Sequence, residues 1–241
     1  MVEMASNAQM AQTNESGAQN IFCDNSLSLD PAGCLFWHEE KLLVVSDLHL
    51  EKGSSFAAKR NLFLPPYDTQ ATLEKLAIRI AYWQPKTVLS LGDSFHDDDA
   101  ATRLPNSYKQ HLTQLMHGRD WIWVSGNHDP SPPQDLGGQF CEELHIGNLN
   151  FCHEPKVDFK TGEIAGHLHP AAKIKQRGKN IRRRCFIGDE ARLIMPAFGA
   201  LTGGLNVMDE AYTGLFDQTH LKSWMLSGDR VFEIEGKRLI K

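Results

Sequence analysis

Short apolar runs, each followed by a polar loop, recur along the 241 residues. Leu35-Phe36-Trp37-His38 and the segment from Lys41 to Ser46 flank Glu39-Glu40, a pattern that predicts a hairpin. Residues 51–66 contain Gly53, Ser54, Ser55, Pro65 and Pro66, and read as a loop with a short helical turn. Leu73, Leu76, Ala77 and Ile80 then recur at helical spacing. They predict a helix from Thr69 to Trp83, capped by Asp68 and stopped by Pro85. Lys86 to Leu91 reads as a buried strand. Positions 106–117 read as a second helix, with Tyr108, Leu112, Leu115 and Met116 inward, and Trp121 to Val124 as the next strand.

Strands alternating with helices argue for parallel pairing through helical crossovers. Ligands in such sheets gather at the carboxyl ends of the strands. Beyond Pro133 the texture changes to short strands: Gln139–Leu144, Leu149–His153, Glu163–Ala165, Arg184–Ile187, Arg192–Met195 and Arg230–Glu235. These predict a second, mixed sheet. The first twenty residues, rich in Asn, Gln, Ser and Ala, read as a disordered tail. The expectation is an α/β fold in one domain, residues 21–241, with two packed sheets.

Composition narrows the class. The chain is 41% hydrophobic and 23% charged, as ordinary globular proteins are, and its formal charge of −5 excludes a generally basic nucleic-acid binder. Any nucleic-acid contact must be local. Five cysteines with no C-x-x-C pair argue against a disulfide framework or a zinc ribbon. No Lys or Arg precedes Lys41, and the first twenty residues lack the apolar core of a secretory signal. No apolar run approaches the roughly 18 residues of a membrane span. A soluble, cytoplasmic protein is expected.

The candidate chemistry lies just after the apolar runs. Asp47-Leu48-His49, Gly92-Asp93, Gly126-Asn127-His128-Asp129, His153 and Gly166-His167-Leu168-His169 follow one another along the chain. Oxygen and nitrogen donors from separated loops suit two divalent metals that share one carboxylate. Positions 47 and 49, and likewise 167 and 169, would share a face if extended. There is no G-x-S-x-G elbow and no G-x-x-x-x-G-K-S/T loop, so neither a covalent serine route nor a P-loop NTPase is supported.

This motif series, from about Lys41 to Gly204, resembles the calcineurin-like metallophosphoesterases. The segments DLHLEKGSSF, LPPYDT, GDSFHD, GNHDP, HEP, AGHLHPA and PAFGALTGG are similar to the ligase-associated branch. Those bacterial proteins are encoded beside a DNA ligase and a helicase and are described as DNA-damage-response endonucleases. GDSFHDD also resembles the second motif of a double-strand-break-repair nuclease of the same superfamily. The resemblance implies a four-layer α-β-β-α sandwich of two mixed sheets with flanking helices. It implies that Asp47, His49 and His169 bind one metal, that Asn127, His153 and His167 bind a second, and that Asp93 bridges both. It gives His128 the task of stabilising the transition state or protonating the leaving oxygen, with His96 orienting it.

Imidazole donors favour Mn, Fe, Zn or Ni over Mg or Ca; two divalent ions are expected, Mn2+ first, with Fe, Zn and Ni as alternatives. Two such cations about 3.5–4 Å apart can supply hydroxide at neutral pH and hold phosphoryl oxygens. The expected reaction is phosphodiester hydrolysis of DNA, with single strands favoured, in DNA repair. A phosphomonoesterase or small-nucleotide hydrolase is the alternative. Association with a DNA ligase and a helicase follows only from the resemblance. Lys52 and Arg60 are candidate phosphate contacts, and Phe56 can stack on a base or pack its loop. Seven cations and no acid lie between Lys173 and Arg184, so Arg182, Arg183 and Arg184 form a candidate DNA strip on a hairpin turning near Gly178.

Overall fold

The computed structural model describes residues 18–60, 67–97, 99–131 and 135–241, without the side chains of 58–60. Residues 1–17 of the expected tail, Asp98 and the side chain of Arg60 lie outside what is described.

Seven strands make the first sheet in chain order: β1 (Ala18–Phe22), β2 (Asn25–Leu29), β3 (Leu35–Trp37), β4 (Leu42–Val45), β5 (Thr87–Leu91), β6 (Asp120–Val124) and β7 (Gln139–Cys141). Strands β1 to β4 pair antiparallel, and β4 to β7 pair parallel. Strand β1 takes in Ala18, Gln19 and Asn20, which composition had assigned to the tail. Four helices lie between strands: α1 (Lys52–Arg60), α2 (Asp68–Trp83), α3 (Ala100–Arg103) and α4 (Asn106–Met116).

The second sheet holds nine strands: β8 (Glu143–Ile146), β9 (Leu149–Cys152), β10 (Glu163–Ala165), β11 (Pro170–Gln176), β12 (Lys179–Gly188), β13 (Arg192–Ile194), β14 (Leu205–Asn206), β15 (Lys222–Ser227) and β16 (Arg230–Glu235). Their order is β14-β11-β12-β13-β10-β9-β8, with β15 on β12 and β16 on β15. Strands β9, β10 and β13 are parallel neighbours.

Side-chain alternation sorts the residues into layers. Leu42 and Val44 of β4 point between the sheets, with Phe151, Ile164, Phe186 and Leu193 opposite. Leu43 and Val45 point to the other face, where Leu73, Leu76 and Ile80 of α2 and Leu112 of α4 cover them. The outer face of the second sheet buries Ile174, Ile187, Ile194 and Met225 against Val207, Tyr212 and Leu215. That cover is an irregular segment with one 3-10 turn at Glu210–Tyr212. The fourth layer is therefore thin.

Three local readings are corrected. The segment after Glu51 forms a nine-residue helix, α1, rather than a short turn. Asp68 makes no cap for its own helix; its Oδ2 accepts the Gly53 N–H at the start of α1, at 2.9 Å. Thr69 Oγ1 likewise accepts the Glu51 N–H at 2.8 Å. These groups satisfy amides that helix geometry leaves open, and they tie α1 to α2. The single strand expected at 139–144 is two strands in different sheets, β7 and β8, so this is where the chain crosses between layers.

The small-residue run from Pro196 to Gly204 threads between the layers. Phe198, fully buried, donates its N–H to Ser46 O at 2.8 Å, and Gly199 donates to Asp47 O at 3.1 Å. Lys75 of α2 donates to Phe198 O and lies 3.7 Å from the Phe198 ring centre. Burial, helped by the nearby Arg184 charge, pulls the Lys75 ammonium down to about 7. The unfolded chain holds that proton to near 10.5, so it binds more protons than the fold across this window and stability rises with pH. Relative to Lys75→Met, the wild-type protein is expected to gain stability between pH 7 and pH 10 in urea unfolding. A difference that stays constant with pH would show that Lys75 keeps its proton in the fold.

Candidate metal centre

The expected ligands all sit just past the carboxyl ends of parallel strands. β4 leads to Asp47 and His49, β5 to Asp93, β6 to Asn127 and His128, β9 to His153, and β10 to His167 and His169. The backbone route differs from the extended one expected. Asp47, His49, Asp93, His167 and His169 all have positive φ, between 44° and 67°. These are left-handed residues, a conformation that Asp and His tolerate better than most. The 47–50 and 92–96 loops run side by side, with His49 N–H on Asp93 O (2.9 Å) and His96 N–H on Leu50 O (3.0 Å). Two glycines permit the close approach of neighbouring loops. A Cβ on Gly92 would collide with the His153 ring, and one on Gly126 with the Asp93 backbone nitrogen and carboxylate.

Two donor clusters meet at Asp93, namely Asp47 with His49 and His169, and Asp93 with His153 and His167; His49, His96 and His128 form a third group beside them. In the first, His169 Nε2 lies 3.0 Å from Asp47 Oδ1 and 3.3 Å from His49 Nε2. In the second, His153 Nε2 lies 3.3 Å from Asp93 Oδ1, 3.0 Å from Asn127 Oδ1 and 3.2 Å from His167 Nδ1. Asp93 Oδ2 is 3.7 Å from His49 Nε2, so the two oxygens of Asp93 face different clusters.

This donor set fits divalent ions. Ligands about 2.1 Å from a common ion, at ordinary angles, stand about 3.0–3.4 Å apart. Asp47 Oδ1 is buried, with no aligned hydrogen-bond donor among the described residues. His153 Nδ1 lies 3.0 Å from Leu91 O, which can only accept, so Nδ1 carries the hydrogen and Nε2 is left for the centre.

The electrostatics agree. Burial alone would raise the Asp93 carboxyl, but His153 and the His128 N–H (2.9 Å) outweigh it and hold the group below the usual carboxylate range. Asp47 is also held low: burial opposes this, and contact with His169, the His153 charge and the Ser46 hydroxyl overcome it. Burial pulls His49 down to about 3, so it is a neutral donor. Burial also opposes charge on His153, yet Asp93 and Asp47 push it up to about 9.

His128 stands outside both clusters. Its Nδ1 lies 2.8 Å from the His96 carbonyl oxygen and so carries a hydrogen. Its Nε2 faces the open side, 4.0 Å from Asp93 Oδ2, on a side chain 40% exposed. His96 thus holds His128 through its backbone carbonyl, while its ring stacks on the His128 ring with centres 5.1 Å apart. Phe56 of α1 stacks on the other side of His96, at 5.6 Å, so ring packing is the contact it makes here.

Of the other expected contacts, Lys52 is half-buried near the centre, where Asp93, His49 and His96 feel its charge. The Arg60 side chain is outside the described residues. Arg182, Arg183 and Arg184 lie on β12, and the expected hairpin is β11–β12. Cys152 points away from the centre, as alternation predicts, into the outer cluster of the second sheet.

Asp129 was missed as a supporting residue. It accepts the Phe95 N–H at 3.0 Å and so ties the β6 loop to the β5 loop. Burial raises its carboxyl to about 7. The signal was its place as the last letter of G-N-H-D. Glu154 was missed too; its Oε1 lies 3.9 Å from His167 Nε2, and the H-E-P segment contained it.

The fold has known counterparts. A nuclease from Pseudomonas putida, MPE, superposes with a TM-score of 0.71 over 90% of this chain and 100% of its own, at 22% identity. Yfce, a phosphoesterase from E. coli, aligns over 80% of this chain and 98% of its own at 14% identity, with a TM-score of 0.38. No curated protein matches the sequence significantly. The calcineurin-like phosphoesterase family matches residues 40–189, a span that holds all five ligand loops. This chain belongs to the calcineurin-like phosphoesterase family.

Proposed function

We propose that this protein is a two-metal phosphodiesterase that cleaves DNA. The observation that carries the reading is Asp93, whose two oxygens face two separate donor clusters. Asp47, His49 and His169 would hold one ion, Asn127, His153 and His167 would hold the other, and Asp93 would serve both. Mn2+ suits this mixed oxygen and imidazole set, with Fe, Zn and Ni as alternatives. Two bound cations supply Lewis acidity that activates water and offsets phosphate charge.

The protein groups do the rest. His128 presents Nε2 to the open side, where it can give a proton to a leaving oxygen or stabilise charge on the phosphoryl group. The His96 carbonyl fixes the tautomer and the ring angle. Lys52 adds positive charge beside the centre. Nucleic acid as substrate is supported by the motif resemblance and by the fold shared with a nuclease. On the same resemblance the setting is DNA repair, beside a DNA ligase and a helicase.

The test uses metal-reconstituted protein on single-stranded circular DNA, duplex DNA, bis-p-nitrophenyl phosphate and p-nitrophenyl phosphate. Cleavage of the circle and of the diester, well above the monoester, is expected. Faster monoester hydrolysis with intact DNA circles would overturn the reading in favour of a phosphatase.

A further inference from the structure

A recess of about 480 Å³ opens between the β11–β12 hairpin, residues 202–204 and the turn that joins β15 to β16. Arg182, Arg183 and Arg184 line it together with Thr202, Gly203 and Ser227, and no acidic residue does. Alternation along β12 puts Arg182 and Arg184 on one face of the strand. Both guanidiniums are anchored: Arg182 donates to Gly204 O, and Arg184 donates to Ala197 O at 2.8 Å. A guanidinium has five N–H donors, so each keeps others for a further acceptor.

The hairpin concentrates positive charge, although the Lys173 ammonium donates to Lys241 O at 2.8 Å. Lys173 of β11 stands directly opposite Arg182 in the register, and like charges across a strand pair are unfavourable. An anion in the recess would relieve that. The recess also adjoins the metal centre. Gly204 precedes Leu205, whose N–H bonds to His169 O at 2.9 Å.

We propose that this recess is a second phosphate subsite, which takes a phosphodiester of the substrate strand next to the one being cut. The proposal rests on the phosphodiesterase reading. Fixed arginine forks suit phosphate oxygens, which they grip in bidentate fashion. The site selects for polymer: a single diester reaches the metals alone, while a longer strand also reaches Arg182 and Arg184. A molecule with a formal charge of −5 thereby gains a local grip on a polyanion.

The experiment compares kcat/KM for a trinucleotide with that for bis-p-nitrophenyl phosphate, which has no flanking phosphate. Arg182→Ser should lower the trinucleotide-to-diester ratio about tenfold or more, as expected for charge-assisted hydrogen bonds. Arg182→Lys, which keeps the charge but not the fork, should recover part of the loss. In a chelator, single-stranded DNA binding by Arg182→Ser should show a salt slope flatter by roughly 0.7 for each phosphate that is no longer neutralised. Lys86→Ser, an exposed site beside the amino end of β5, is the charge-matched control and should leave that slope unchanged. An unchanged ratio together with an unchanged slope in Arg182→Ser would overturn the subsite. If the wild-type protein cleaves neither substrate, the phosphodiesterase reading falls, and the chelator binding data still decide whether the recess holds nucleic-acid phosphate.

Discussion

Asp93→Asn is expected to lower occupancy of both metal positions and to cut turnover by about 10²–10³-fold or more, at least the scale of losing one preorganised electrostatic group. The change is nearly isosteric. An amide oxygen can still accept the His128 N–H that Asp93 Oδ1 accepts now. What disappears is the negative charge that faces His49 on one side and His153 on the other. A neutral amide cannot offset repulsion between two cations. His153 keeps an acceptor but loses the carboxylate charge that helps raise it to about 9. Elemental analysis and steady-state kinetics on the reconstituted variant check this. Two metals per chain with activity near wild type would remove Asp93 from the shared position.

His128→Ala should behave differently. Its ring belongs to neither of the two clusters that flank Asp93, so metal content should stay close to wild type. Turnover should fall by about 10²–10⁴-fold, the usual range for acid–base assistance. The loss should shrink with p-nitrophenolate as leaving group, because that group departs without a proton. An equal loss for good and poor leaving groups would assign His128 to charge stabilisation. The substitution is mild for the fold, since His128 is partly exposed and its ring donates to the His96 carbonyl.

The ligand loops were legible because chemistry restricts them. Only certain side chains donate to a divalent ion, and each such block followed an apolar run. Parallel pairing of β4, β5 and β6 then brought the blocks together. The sequence hid what depends on context. Strand β2, Asn25 to Leu29, went unread, although Leu27 and Leu29 alternate into the core between the sheets. Strand β15 went unread too, although Trp224 and Leu226 face one cluster and Met225 the other. Helix α1 contains Gly53, Ser54 and Ser55, weak helix formers; it is held by Asp68 and Thr69, which lie beyond the loop. The anchored guanidiniums of Arg182 and Arg184 depend on carbonyls 13 to 22 positions away, which no local pattern announces.

The left-handed residues at the ligand loops have a consequence for how ions are captured. Each such non-glycine residue costs of order 1–3 kcal/mol, and it persists only because its surroundings over-determine it. Asp47, His49, Asp93, His167 and His169 meet that cost when the chain folds, not when an ion arrives. Capture then requires little reordering of loops, and little affinity is spent on freezing them. The centre is a receptor already shaped for its guest, set in the part of the fold least able to accept a β-branched replacement.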